Sequence, residues 1–346
     1  MSQSAPQWKE VYLGGSEAAE RAMIERFSHD ILAVQNRVAA AVGKQRDRTF
    51  HAKMILGVEN ALFTVDPTLP QDLAAGYFQP KSQFSASMRF SNASPLHQGD
   101  VAADMRGAAV RVRFSDADYH DFLMTSYPVS HARDAWQFIE IAKIATGPKS
   151  LLLPRLVLKL GLAETMRVVR NIKTGSKPAE SVATLQFWSR APLLWGKAGP
   201  VRYTLKPLAQ RTGIQPDAAD MQYLSREFAA RLSKGDVSYR LAVQRYLDEK
   251  RTPIENGAAE WREKDAPFIE IATLTIPMQD LNTEHAAEAG KAVNGLAFNP
   301  WNCPEPFRPL GSLNRARKKV YLASAAGWLG EKPSRPKTGA SVLRSN

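Results

Sequence analysis

The spacing of apolar residues predicts helices near both ends of the chain and in its middle. Apolar side chains recur every three to four residues over residues 16–42, as they do on one face of an α-helix. Similar spacing or composition indicates further helices within residues 134–171, 217–232 and 313–329. The pattern therefore leaves two regions of the chain for strands.

Short runs of alternating apolar and polar residues predict strands in those two regions. From Leu56 to about Ser130 the alternation has a period near two, which is typical of a half-buried strand. The predicted strands are residues 62–65, 85–91, 108–114, 201–206 and 268–276. Strands that are grouped together, with helices around them, indicate the α+β class and one large domain.

The composition is that of a chain with a sizeable core. Of its 346 residues 44% are hydrophobic and 23% are charged, which excludes disorder, collagen and coiled coil as descriptions of the whole chain. One cysteine, Cys303, excludes an internal disulfide and a Cys-based zinc finger. The first ten residues lack the apolar core of a signal peptide, so a cytoplasmic location is expected.

The net charge of +12 favours anionic partners. Between Lys143 and Lys177 eight basic residues accompany one acid, Glu164, and leucines alternate with the cations. Such a segment suits peripheral contact with an anionic lipid or membrane surface. A core helix with a solvated basic face would have the same composition. Nucleic acid is not expected as a partner, because the cations lack interleaved aromatic residues and no nucleic-acid-binding motif occurs.

Several well-known catalytic signatures do not occur in the sequence. It has no Gly-rich dinucleotide or phosphate loop, no nucleophile elbow and no His-Glu-x-x-His zinc motif. Its six histidines are scattered without the spacing of metal ligands. A metal site built from protein side chains alone is therefore not expected.

A different set of motifs runs through the chain, and each carries side chains suited to bind an anion or to move a proton. Arg89 and Ser91 are two residues apart on a predicted strand, so they point to one face. Arg317 and Tyr321 are one helical turn apart on a predicted helix. The motifs are Arg48-Thr-Phe-His51-Ala-Lys53, Met88-Arg-Phe-Ser-Asn92, Asp104-Met-Arg-Gly-Ala-Ala-Val110, Asp121-Phe-Leu-Met-Thr-Ser-Tyr-Pro-Val129, Arg133-Asp134 with Phe138, and Arg315-Ala-Arg-Lys-Lys-Val-Tyr321.

In this order the motifs resemble the catalase superfamily, and most closely its short branch of catalase-like haem peroxidases. The resemblance covers residues 46–321, about four fifths of the chain. It implies a catalase-like antiparallel β-barrel with surrounding helices, a minimal version that lacks the long C-terminal part of full catalases. The implied division is an N-terminal helical arm (1–45), a haem-binding domain (46–330) and a basic tail (331–346) that is expected to be disordered.

The resemblance also implies haem b as the cofactor and assigns residues to it. Tyr321 matches the phenolate that binds the haem iron, with Arg317 one turn before it to stabilise the negative oxygen. Arg48 and Arg89 match the arginines that pair with the haem propionates, where a planar guanidinium fits a carboxylate. Phe138 matches an aromatic ring that packs on the face of the haem.

The implied catalytic residues are His51, Ser91 and Thr125. His51 matches the distal histidine, which takes a proton from peroxide and returns it to the departing oxygen. Ser91 matches the serine that orients this ring. Thr125 stands where full catalases have an asparagine, and the residues after Tyr321 lack the histidine and arginine usual in the family. These departures favour a peroxidase that reduces hydrogen peroxide or organic hydroperoxides, with weak catalase activity, over a true catalase.

Three alternatives stay open at the level of sequence. The basic, leucine-rich segment would suit an amphiphilic anionic substrate, so the protein could instead be a fatty-acid hydroperoxide lyase or an allene-oxide-forming haem enzyme. It could also carry haem or lipid without turnover. Cys303 is followed by Pro304, a dipeptide that can present a thiolate to haem iron. A homo-oligomer is compatible with each of these interpretations.

Overall fold

The computed structural model describes residues 6–43, 46–95, 97–211, 217 and 219–329. Within them nine strands and seven α-helices form an α+β fold. The strands are β1 (Met54–Val65), β2 (Gln83–Asn92), β3 (Arg106–Arg113), β4 (Tyr119–Thr125), β5 (Phe187–Trp188), β6 (Leu193–Leu194), β7 (Pro200–Pro207), β8 (Val237–Arg245) and β9 (Ile269–Ile276). The helices are α1 (Glu17–Val42), α2 (Ala135–Ala145), α3 (Leu152–Leu160), α4 (Leu162–Gly175), α5 (Tyr223–Leu232), α6 (Glu284–Gly295) and α7 (Ser312–Leu329).

The strands form one antiparallel sheet that closes into an eight-stranded barrel. Neighbouring strands pair in the order β5, β4, β3, β2, β1, β9, β8, β7, and β6 pairs with β7 at the rim. The short strand β5 closes the ring because it pairs with β4 through Trp188 and Thr125 and with β7 through Trp188 and Thr204. A barrel of eight strands is narrow enough for side chains to fill its interior.

Alternation along the strands decides which residues line the barrel and which lie on its outer surface. Ala86, Met88 and Phe90 of β2 are fully buried in the main core. Because successive side chains of a strand point to opposite faces, Arg89 and Ser91 project from the outer surface, where helices cover them. The predicted shared face of Arg89 and Ser91 is thus the outer face of the barrel.

Helices α1, α2 and α7 pack together on one side of the barrel. Their buried contacts are made by Phe27 and Ile31 of α1, Ile139 of α2 and Ala316 of α7. The hydroxyl of Ser16 accepts a hydrogen bond from the Ala19 N–H and caps α1, so the predicted helix over residues 16–42 is confirmed. The proposed boundary after residue 45 stays a prediction.

Arg315 ties α7 to the N-terminal part of the chain. Its guanidinium donates to Glu10 (2.7 Å), Glu20 (2.5 Å) and Glu255 (2.9 Å), and these carboxylates raise the pKa of Arg315 above its ordinary value although burial opposes this. Glu20 is almost fully buried, so loss of the guanidinium would leave a buried carboxylate without its partner. The position of α7 is therefore fixed by contacts with both N-terminal and internal segments.

The structure departs from the pattern-based elements at several places. The helix predicted over residues 217–232 begins only at Tyr223, because the Asp220 carboxylate accepts from the Gln222 N–H in a turn. Strands β5, β6 and β8 and helix α6 were not predicted, and β4 was not distinguished within the strand region of residues 56–130. Helix α6 is rich in Ala and Gly and has few large apolar residues, so its sequence lacks a strong helical period. The predicted tail, residues 331–346, lies outside the described residues.

None of the helices in the described part of the chain combines the length and apolarity needed to cross a bilayer.

His120, inside the barrel, predicts a stability that falls in acid. The ring is fully buried, with Nδ1 2.9 Å from the Tyr77 hydroxyl, and burial lowers the pKa of His120 to about 3. The unfolded chain binds this proton below about pH 6.5 and the folded chain does not. Stability is therefore intact above pH 6.5 and falls as the pH drops toward 3, by about 1.4 kcal/mol per pH unit.

Urea unfolding at several pH values between 7 and 4 checks this expectation. His120→Gln keeps a polar group for Tyr77 but does not titrate, so its free energy of unfolding should fall less steeply than that of the wild-type protein. Parallel curves for the two proteins would show that His120 does not carry the effect.

Candidate active site

The ring of His51 lies against the outer surface of the barrel, just before β1. Its backbone has φ of +57°, a left-handed conformation that residues other than glycine rarely adopt. The His51 N–H donates to the Ala93 carbonyl (3.2 Å), and the His51 carbonyl accepts from the Arg89 guanidinium (3.0 Å). Nδ1 of the ring is 3.1 Å from Ser91 Oγ. These contacts fix the direction in which the imidazole points.

Gly107 makes room for this ring. Ser91, Gly107 and Thr125 face one another across β2, β3 and β4, so they form one row on the outer surface of the barrel. A Cβ at position 107 would lie 2.5 Å from His51 Nδ1 and 2.8 Å from Ser91 Oγ. Both distances are too short for non-bonded atoms, so the imidazole packs on the bare backbone of Gly107.

Gly107→Ala is expected to push the imidazole out of its place. The added methyl group overlaps both partners of the His51–Ser91 contact, and overpacking of this kind costs about 1–3 kcal/mol. NMR titration of the histidines should then show a His51 pKa that moves from about 3 toward its ordinary value. Gly235→Ala is the matched control, because a Cβ there meets nothing within 4 Å. An unchanged His51 titration in Gly107→Ala would contradict the packing argument.

The surroundings of His51 keep its ring neutral. Burial lowers the pKa of His51 to about 3, and the positive charges of nearby arginines, Arg190 first among them, act in the same direction. When the Nδ1 proton is donated to Ser91 Oγ, Nε2 carries a free lone pair. Within the described residues no hydrogen bond occupies Nε2. The ring can therefore accept a proton at neutral pH.

Tyr321 and Arg317 lie one turn apart on α7. Arg317 donates to the Tyr321 hydroxyl oxygen at 2.8 Å, and its guanidinium carbon lies 4.9 Å from the centre of the phenol ring. The guanidinium also donates to Asn314, whose amide is itself bonded to the Pro192 carbonyl. The Tyr321 oxygen therefore lies beside a cation that a second hydrogen bond holds in place.

The helix that carries Tyr321 lies beside the segment that carries His51. The Ser324 hydroxyl, one turn after Tyr321, is 3.0 Å from the hydroxyl of Thr49, two residues before His51. Arg317 also acts on the pKa of His51, as expected for charges in one site. The structure thus brings together a neutral imidazole and an arginine-bound phenol that the sequence separates widely.

Arg48 and Arg89 lie on the same side of His51 and share a contact with α6. Arg89 donates to Asn294 Oδ1 (3.0 Å) and to the carbonyls of residues 51 and 52, so much of its guanidinium holds the His51 segment in place. Arg48 donates to the Asn294 and Leu296 carbonyls and lies 4.0 Å from the Trp328 ring centre. Whether these arginines bind propionates stays a prediction.

Phe138, on α2, lies at the wall of the same region. Its ring contacts the edge of Phe50, the residue before His51, with 5.6 Å between ring centres. It also packs against the ring of His131 at 5.0 Å. Burial and the positive charges of Arg190 and Arg167 lower the pKa of His131 to about 3. That Phe138 packs on the face of a haem stays a prediction.

Arg190 is a site residue that the sequence analysis missed. Its Nε–H donates to Thr125 Oγ1 at 2.8 Å, and a second guanidinium nitrogen lies 2.9 Å from the sulfur of Met105. Burial and the charge of Arg317 lower the pKa of Arg190 to about 10, although Tyr321 opposes the shift. The only signal in the sequence is a lone cation in the mostly apolar run of residues 185–195.

Four guanidinium groups lie near His51, and the Asp47 carboxylate acts on two of them, Arg48 and Arg89. Arg48, Arg89, Arg190 and Arg317 all act on its pKa, and within the described residues none of them forms a salt bridge. Four cations in a largely buried place outnumber the single carboxylate that acts on them, and such an excess of positive charge favours an anionic ligand. The donor set fits haem, since free cations suit its propionates and an arginine-bound phenol suits its iron.

Cys303 does not have the surroundings of an iron ligand. It packs against the main core, and burial together with the negative charge of Asp121 raises the pKa of Cys303 to about 12. The thiol therefore stays protonated at neutral pH. The thiolate alternative is disfavoured on these grounds.

The fold is that of catalases. The chain is similar to the crystal structure of a fungal catalase, with a TM-score of 0.63 and 16% identity over 95% of this chain and 65% of that one. It is also similar to a bacterial catalase, with a TM-score of 0.63 and 14% identity over 99% of this chain and 70% of that one. The sequence itself matches no protein-family model and no curated protein.

These two similarities confirm the predicted catalase-like barrel in a shortened form. The chain spans about two thirds of the length of either catalase. At such identities the likeness establishes the fold, and the short peroxidase branch stays a prediction.

Proposed function

We propose that the protein is a haem-dependent peroxidase that reduces hydrogen peroxide or organic hydroperoxides. The contact between Arg317 and the Tyr321 hydroxyl, 2.8 Å on a helix beside His51, is the observation that carries the proposal. Tyr321 would bind the iron of haem b, and Arg317 would hold the phenolate. Arg48 and the free part of the Arg89 guanidinium would face the propionates, and Phe138 would pack on the haem.

In this proposal the residues of the chain move the proton. When bound, haem supplies the iron at which the O–O bond of the peroxide is broken. His51 Nε2 takes the proton of the incoming peroxide and returns it to the oxygen that leaves. Ser91 Oγ, 3.1 Å from Nδ1, keeps the ring in the tautomer that this task needs.

Thr125 and Arg190 support a peroxidase rather than an efficient catalase. The asparagine of full catalases offers a free amide donor in the distal pocket. The Thr125 hydroxyl donates to the Tyr127 carbonyl (3.2 Å) and accepts from Arg190 (2.8 Å), so it has no proton left to donate to peroxide. A second peroxide molecule would therefore be held less well as the reductant. Another electron donor would be needed to complete the reaction.

A second candidate, rearrangement of a fatty-acid hydroperoxide, is favoured by the exposed leucines and cations of α3 and α4. An amphiphilic anion would suit such a surface. The two candidates differ in their use of electrons, because rearrangement consumes no reductant.

Turnover by haem-loaded protein separates these functions. Hydrogen peroxide and a lipid hydroperoxide are offered with and without a reducing dye. Dye oxidation in step with peroxide loss supports the peroxidase. Loss of lipid hydroperoxide without dye oxidation supports rearrangement, and haem binding without either reaction supports a carrier.

A further inference from the structure

The surface of α3 and α4 that points away from the rest of the protein is unusually apolar. Fifteen large hydrophobic side chains are exposed in the described chain, and seven of them lie within residues 151–172. Leu158 is 89% exposed, Leu162 66% and Met166 62%. Single exposed apolar residues are common, but a cluster of this kind marks an interaction surface.

These exposed residues are not the core face of the two helices. Leu156 of α3 and Val168 of α4 are buried apolar residues, and they pack in one cluster with Ile141 of α2. The inner face of α3 and α4 is thus a core face, as one of the two interpretations of the segment expects. The inner face anchors α3 and α4, whereas Leu158, Leu162 and Met166 of the outer face belong to none of the apolar clusters that the described residues form.

The eight cations of residues 143–177 also fall into two groups, those with an ion-pair partner and those that are exposed. Lys143, Lys159 and Arg167 form ion pairs with Asp30, Glu140 and Glu164. The other five are exposed and, among the described residues, have no ion-pair partner. These five are Lys149, Arg155, Arg170, Lys173 and Lys177.

We propose that the outer face of α3 and α4 docks on an anionic phospholipid bilayer. Exposed leucines would enter the boundary between headgroups and acyl chains, while the five unpaired cations would contact lipid phosphates. A symmetric contact with a second copy would set these cations against their own equivalents, which disfavours self-association. The proposal goes beyond the peroxidase function and needs no cofactor for its test.

Sedimentation with vesicles tests the proposal on the full-length protein. Vesicles of phosphatidylcholine with phosphatidylglycerol are compared with vesicles of phosphatidylcholine alone. Binding is expected only to the anionic vesicles and should weaken with added salt. Leu158→Asn with Leu162→Asn should reduce the partition coefficient by roughly tenfold for each leucine. Arg170→Gln with Lys173→Gln should reduce it about fivefold for each cation.

Leu208→Asn is the matched control, because Leu208 is 53% exposed but lies outside the segment. All variants change exposed side chains, so their melting temperatures should equal that of the wild type, which separates lost binding from lost folding. Absence of binding to anionic vesicles, or equal binding by all variants, would overturn the proposal. The alternative outcome is a wild-type protein that forms dimers, binds no vesicles and becomes monomeric when the leucines are replaced. That result would also overturn the proposal and would make the surface a contact with a second copy of the chain.

Discussion

Haem-loaded Tyr321→Phe protein is expected to lose the absorption bands of ferric iron bound to a phenolate. The substitution removes the only atom that Tyr321 can offer to a metal and leaves the size of the ring unchanged. Arg317, which donates to that oxygen at 2.8 Å, also loses its acceptor. The measurement is an absorption spectrum of wild type and variant after loading with the same amount of haem.

Two further variants show whether a change in this spectrum is specific to the Tyr321 oxygen. Tyr119→Phe is the control, since the Tyr119 ring also lies beside an arginine, with the Arg111 guanidinium 3.9 Å from its centre. Arg317→Gln keeps the phenol but removes its cation, and should weaken haem affinity about 10- to 100-fold. Identical spectra for Tyr321→Phe and wild type would remove Tyr321 as the ligand and with it the main support for the peroxidase.

His51→Ala is expected to slow the reaction with peroxide by about 10²–10⁴-fold while haem still binds, because the proton acceptor is lost. Rapid mixing of haem-loaded protein with hydrogen peroxide measures the rate constant directly. His285→Ala, at an exposed position of α6, is the control. A His51→Ala rate equal to wild type would show that another group moves the proton.

The pH dependence of the same rate constant follows from the lowered pKa of His51. A pKa of about 3 means that the ring is neutral, and able to accept a proton, at every pH well above 3. The wild-type rate should therefore be flat from pH 8 to about pH 5 and fall as the pH approaches 3. A decline centred near the ordinary histidine value of about 6.5 would show that the ring is solvated during the reaction.

The motif order in the sequence selected two pairs of residues that are in contact in the structure, while the roles assigned to them stay predictions. His51 and Ser91 lie 3.1 Å apart in the structure, and Arg317 and Tyr321 lie 2.8 Å apart. The second pair is local, so helical spacing alone brings it together. The first pair joins two segments, and only the resemblance to a known family placed these residues together.

Arg190 could not be predicted because its place depends on closure of the barrel. Strand β5 has two residues, and it meets β4 through the single pair of Trp188 and Thr125. No periodic pattern marks so short a strand. Asn294, which bonds Arg89, was missed for a related reason, since α6 lacks the large apolar residues that reveal a helix.

The fold itself was predictable where side-chain pattern and capping agree. Helix α1 has both a clear apolar spacing and the capping hydroxyl of Ser16. Alternation identified β2 and β3 but could not show that the sheet would close, because closure depends on pairings between distant strands. The family resemblance supplied the barrel.

Both ends of the described chain contribute residues to the candidate site, and this sets an order of events during synthesis. His51 leaves the ribosome early, whereas Tyr321 lies on the last described helix. Arg315, which holds α7 against Glu10 and Glu20, is equally late. Until α7 has been translated, the nascent chain lacks Tyr321, and the carboxylates of Glu10 and Glu20 lack their partner Arg315. A ligand that needs Tyr321 and Arg317 can therefore make its full set of contacts only after α7 has been translated.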